Sequence, residues 1–234
     1  MTRLVHKWAV VVPLLSVVAL ASAAPYGRIV VLQYINGSVS VQPRGAGSWA
    51  LAESNRQLAI SDNLWTDKAS RAELNTGTGI LRINSETSLT IVNVNNRTVQ
   101  VKINQGSLHL HVRHLFGGEI YEVDSSNGTF TLMKSGDYRI DVDPKTDTTT
   151  ITTWKGEGSV TGERQAIRVR SREQVRITAV TAAYERHAAP GPDAFDEWCR
   201  VRNTRQDSAY PAMYPLPPYY PSPGVVVYGP RPWH

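Results

Sequence analysis

The sequence predicts an all-β chain: stacked or rolled antiparallel sheets of the sandwich, jelly-roll or short-solenoid type, followed by one short C-terminal helix. Three observations carry this. Residues alternate apolar and polar over most of the span from Arg28 to Ala182, the period of a half-buried strand. Val, Ile, Thr and Tyr are abundant there, and these side chains fit a pleated, packed surface. Turn signals such as Asn36-Gly37, Asn127-Gly128, Asp143-Pro144 and Lys155-Gly156 recur, at about the 8–12-residue spacing of sandwiches and barrels.

The elements follow in order. Residues 1–23 read as a secretory signal peptide. Arg3 and Lys7 make a positive start, Trp8 to Leu20 is apolar apart from Pro13 and Ser16, and Ala21-Ser22-Ala23 is a small-x-small cleavage pattern. The apolar run is shorter than the roughly 20 residues of a membrane-spanning helix. Cleavage before Ala24 and a periplasmic or secreted location are therefore expected, with no membrane span afterwards. A β-domain is expected over 26–186. Its strands are legible in GSVSVQP (37–43), SLTIV (88–92), TVQVKI (98–103), GSLHLHV (106–112), TFTLM (129–133), YRIDVD (138–143), TTTITTW (148–154) and AIRVR (166–170). No stretch has helical periodicity, and the span is long enough to bury about two-thirds of its surface.

A Pro-broken linker and a short docking helix are expected over 187–205. Pro190-Gly191-Pro192 interrupts the chain, Asp193 can cap, and Asp196 follows three positions on. Phe195, Trp198, Cys199 and Arg202 fall at helical spacing and form a stripe to lay on the β-domain. From 206 to 234 Tyr and Pro dominate, which predicts an extended, low-complexity tail. Tyr214, Tyr219 and Tyr220 are its candidate contacts for a partner groove.

Composition excludes several classes of function. The formal charge is +5 and falls by two, to +3, once Arg3 and Lys7 are removed. That mild excess on an exported chain does not point to nucleic acid. The single cysteine, Cys199, allows no internal disulfide and is expected as a buried small hydrophobe. There is no G-x-S-x-G, H-E-x-x-H or phosphate-binding loop, so the chain is expected to be neither an enzyme nor a cofactor carrier.

Two constellations remain. His109 and His111 share one face of a strand, which is how some metal sites begin. Four and five residues after His111 stand Leu115 and Phe116 rather than a further ligand. With Leu108, Leu110 and Val112 on the other face, the two histidines are expected at solvent or in a shallow groove. A metal or small-ligand site using them is the alternative. Arg168, Arg170 and Arg172 alternate with apolar or small residues and offer a guanidinium face for an anionic envelope polymer. The same pattern also serves as a soluble, blunted sheet edge.

Several segments together resemble a known family. These are GSVSV (37–41), LAISDNLWT (58–66), GDYRIDV (136–142) with the return GEGSV (156–160), and PDAFD-x-W (192–198). In this order, over roughly residues 27–205, they resemble bacterial FecR-like domain proteins. The match is to an exported branch with a Tyr/Pro-rich tail and without the cytoplasmic anti-sigma segment. The resemblance implies a FecR-like β-domain. In founding members the periplasmic β-domain hears an outer-membrane receptor while a cytoplasmic segment restrains a sigma factor. Only seven residues precede the apolar run here, so the expectation carried over is a non-enzymatic module that binds envelope proteins or polymers.

Overall fold

The computed structural model describes residues 27–162, 165–178 and 183–213. The expected signal peptide and Tyr214, Tyr219 and Tyr220 lie outside these. The first half of the β-domain holds β1 (Val30–Asn36), β2 (Val39–Gln42), β3 (Ala50–Leu51), β4 (Arg56–Leu58), β5 (Asn63–Thr66), β6 (Arg71–Asn75), β7 (Gly79–Ile83) and β8 (Ser88–Val94). A long strand, β9 (Thr98–Val112), sits in the middle. The second half holds β10 (Ile120–Ser125), β11 (Gly128–Leu132), β12 (Gly136–Asp143), β13 (Thr148–Lys155), β14 (Glu157–Thr161), β15 (Ala166–Arg170), β16 (Glu173–Thr178) and β17 (Ala183–Ala188). A single helix, α1 (Ala194–Met213), ends the described chain. The all-β class with one C-terminal helix is as the sequence predicts.

The strands form two layers that share β9. In one layer the order is β4-β1-β6-β7-β9-β12-β13-β16-β17; this is sheet I. In the other it is β3-β2-β5-β8-β9-β10-β11-β14-β15; this is sheet II. The first half of β9 pairs with β8 and β10, and the second half with β7 and β12. Among the described pairs, β9–β10 alone is parallel, a departure from the all-antiparallel expectation.

Chain length explains that pair. A straight strand the length of β9 would reach about 47 Å, and the eight steps from Val112 to Ile120 span at most about 29 Å. Ile120 nevertheless lies opposite Thr98. The two halves of β9 must therefore fold over one another. The corner is Gly106, with φ +91°, a conformation that glycine adopts at no steric cost.

Alternation along the strands sends one set of side chains into the space between the sheets. Leu74, Leu81, Leu108, Leu110 and Ile140 from sheet I join Leu64, Leu89, Val101, Val123 and Phe130 from sheet II in a single core. Phe130 and Tyr138 meet across the layers with ring centroids 5.6 Å apart. Hairpin turns form where the sequence marks them. Between β12 and β13 the Asp143 carboxylate accepts from Lys145 N and Thr146 Oγ1 at 2.9 and 2.8 Å, which uses it as a turn former.

The helix is longer than the sequence suggests. α1 runs to Met213, eight residues past Arg205, so the extended character expected from 206 onward does not hold for 206–213. Asp193 caps it: its Oδ1 accepts from Phe195 N at 2.8 Å and Asp196 N at 2.9 Å. The Asp196 carboxylate accepts from Asp193 N at 3.0 Å in return, closing a reciprocal cap. No helix among the described residues is long and apolar enough to cross a membrane.

Candidate functional site under the C-terminal helix

The outer face of sheet I is polar at its centre. The register lines up Glu73, Arg82, His109, Arg139 and Thr152 across β6, β7, β9, β12 and β13. His111 and Asp137 form a second, shorter row. Alternation places them here because their neighbours Leu74, Leu81, Leu110 and Tyr138 take the core side. A polar outer face ordinarily meets water. Here α1 lies over it, and Arg82 and Glu73 have no exposed surface at all.

This corrects the expectation for the histidines. His109 is 3% and His111 8% exposed, so neither stands at solvent. The alternation is real, but the face it defines has been covered by residues from the far end of the chain.

Buried charges are tolerated only when paired and hydrogen-bonded, and α1 supplies the partners. Glu73 accepts from Arg82 Nε at 2.6 Å, Arg202 Nε at 2.9 Å and Gln206 Nε2 at 2.6 Å, and also from Gln33. Burial opposes its charge, but the Arg202 hydrogen bond, the Arg82 charge and the Gln33 hydrogen bond outweigh that and hold its carboxyl at about 2. The Arg82 guanidinium goes on to donate to Asn203 and, at 2.7 Å, to Gln206. Arg202 lies 4.0 Å over the Tyr34 ring, a cation–π contact.

The two ends of the helix are tied separately. At its start Arg139 donates to Asp193 at 2.7 Å and to both Asp196 oxygens at 3.0 Å. Farther on, the His111 ring bridges sheet and helix: Nδ1 is 2.7 Å from Asp137 Oδ1 and Nε2 is 3.0 Å from Asp207 Oδ1. Arg113 also reaches Asp207, at 3.1 Å. A neutral imidazole can donate to one of these carboxylates, and an imidazolium to both.

Phe195 and Trp198 stack at 6.0 Å and seat the helix, as the stripe predicts. Cys199 has no exposed surface, and burial pushes its thiol up to about 12; it packs as the small hydrophobe the sequence suggests. His109 lies between Phe195, edge-on at 6.4 Å, and Trp154, stacked at 6.1 Å. Desolvation pulls His109 down to about 3, so its ring is neutral. Among the described residues its buried Nδ1 has no hydrogen-bond partner. His109, Trp154, Asp137, Lys155 and Asn203 line a cleft of about 380 Å³ beside the helix.

Both ring nitrogens of His111 face carboxylates. Among the described residues no group of three or more His, Cys, Asp or Glu side chains is arranged to hold a metal ion. Arg168 and Arg170 are exposed on β15, an edge strand of sheet II, and Arg168 pairs with Glu157 at 3.2 Å. Arg172 is not in line with them. It occupies the turn before β16 with φ +64°, so the expected face of three guanidiniums has two on the strand and one in a turn. The arginines and the histidines belong to different sheets.

No family model matches the chain, and no curated protein matches it. Two crystal structures from Parabacteroides distasonis ATCC 8503, each described as a "putative anti-sigma factor", are similar in fold. One, at 1.65 Å resolution, is 9% identical, with a TM-score of 0.51 over 63% of this chain and 73% of that one. The other, at 2.50 Å, is 10% identical, with a TM-score of 0.49 over 54% of this chain and 59% of that one.

Proposed function

We propose that this chain is an exported, non-enzymatic FecR-like module of the bacterial envelope that works by binding and contributes to envelope sensing or signalling. The observation that carries the proposal is the fold likeness to the protein described as an anti-sigma factor, at TM-score 0.51. Its sequence counterpart is the FecR-like order of motifs across residues 27–205. Three of the buried groups are poorly placed for acid–base work at neutral pH. Acid–base chemistry wants groups that titrate near the working pH, and Glu73, His109 and Cys199 are moved to about 2, about 3 and about 12. The partner is an envelope protein or an anionic envelope polymer, met by the Arg168–Arg170 edge or by the Tyr/Pro-rich tail.

The test is crosslinking and capture from intact envelopes with the full chain and with a chain ending at Met213, which keeps all of α1. An envelope component captured by both chains supports the β-domain as the binding element, and capture by the full chain alone assigns binding to the tail. Recovery of the chain from the cytoplasm with residues 1–23 intact overturns the export half of the proposal. Absence of any specific captured component overturns the binding half. The exported product should begin at Ala24 when its N-terminus is read by mass spectrometry.

A further inference from the structure

The cleft beside α1 has features the helix lock does not use. His109 is almost fully buried and, among the described residues, its Nδ1 has no partner. Buried polar atoms are nearly always satisfied, so an orphan on the wall of a cleft points to something that binds there. Trp154, half-buried, lines the same cleft. Among the described residues Asp137 accepts through Oδ1 alone, from His111 and Asn203, which leaves lone pairs on its second oxygen. Lys155 stands exposed at the mouth.

These features select a chemistry. Asp137, Asp196 and Asp207 line the cleft against Lys155 and Arg200, so carboxylates outnumber cations and the lining does not favour an anion. A purely apolar guest would strand His109 Nδ1 and the Asp137 oxygen, at a cost for each. A polyhydroxylated ring suits both: its hydroxyls donate to Asp137 and meet His109, and its C–H face covers an indole. The size agrees, since ligand clefts run from about 300 Å³ upward and this one is about 380 Å³. A second hollow of about 300 Å³ adjoins it and shares His111, Asp137, Lys155 and Asp207. One ring therefore has a neighbouring place for the next.

We propose that this cleft binds a pyranose ring of a glycan chain, with Trp154 beneath the ring and His109 and Asp137 as its hydrogen-bonding partners. The proposal is independent of the envelope reading. It is tested on purified protein, so its failure leaves the capture result standing.

The probes are glucose and N-acetylglucosamine, each as the monomer and as the β-1,4-linked trimer. They are titrated into the full chain by calorimetry, with the His109 ring nitrogens followed by NMR. At least one trimer should bind about tenfold more tightly than its monomer and shift the His109 signals. Trp154→Ala should weaken that binding about tenfold or more. Lys102→Ala, on the outer side of sheet II, should leave it unchanged. If Trp154→Ala melts early, His109→Gln makes the same comparison. The proposal is overturned if no probe at about 10 mM gives heat or moves the His109 signals, or if binding survives both substitutions unchanged.

Discussion

Glu73 shows at the scale of one residue why the covered face holds together. Its carboxylate is surrounded by Arg82, Arg202, Gln206 and Gln33, and both it and Arg82 are sealed from water. Removing one member of a sealed pair leaves the other charged and dry, which costs about 3–5 kcal/mol. Glu73→Ala should lower unfolding stability by that order in denaturant titrations, with far more effect than an exposed change such as Glu86→Ala. The pH dependence has a definite sign. A carboxyl at about 2 when folded and at its ordinary 4.5 when unfolded contributes stability that is complete above pH 4.5. That contribution drains away as pH falls from about 4.5 to 2. Glu73→Gln should therefore flatten the acid limb of the stability curve across that window. A limb of unchanged slope would show that Glu73 does not carry it.

Helix α1 shows at the element scale how much was written in the sequence and how much was not. Its start was legible: Asp193 and Asp196 sit where a cap needs them, and Phe195, Trp198 and Cys199 recur at helical spacing. Its reach was not. Arg202 falls in the docking stripe, but Asn203 looks like part of a solvated face and Gln206 and Asp207 fall in the expected tail, and their partners Arg82, Glu73 and His111 lie some ninety to one hundred and thirty positions away. Local patterning carries no sign of such pairing. For the same reason the alternation around His109 and His111 shows a strand with a polar face but carries no sign of what covers that face. Two outcomes test this account. A chain ending at Met213 should melt with the full chain, whereas one ending at Arg205 loses Gln206 and Asp207 and should melt several degrees lower. Asp193→Ala removes two backbone acceptor contacts and an Arg139 partner. It should cost about 1–2 kcal/mol, with the loss of protection in hydrogen exchange concentrated in the first turn of α1.

For the whole molecule the decisive feature is the corner in β9, because one strand belongs to both sheets and a fault there reaches both. Gly106 is needed on two independent grounds. Its φ of +91° lies where a side chain is strained. A Cβ built on it would also stand 2.6 Å from the Thr87 Cα, a backbone atom that cannot swing aside as a side chain can. Thr87 is itself held, its N donating to Thr66 Oγ1 at 3.0 Å while its hydroxyl accepts from Ser107 N at 3.1 Å. Gly106→Val therefore forces the corner to open. Opening it moves the second half of β9 away from the first and loosens the return of Ile120 to Thr98. It also shifts the row of Arg82, His109 and Arg139 on which α1 sits. A backbone strain of about 1–3 kcal/mol adds to the packing lost in both layers. The variant should be destabilised by more than the strain alone, and hydrogen-exchange protection should fall in β10 and α1 together, although neither contains the substitution. Gly77→Val is the matched control. It has φ +90° with nothing within 4 Å of its Cβ, so it carries the strain without the clash. A loss for Gly106→Val no greater than for Gly77→Val would mean that the corner yields locally and does not couple the two sheets.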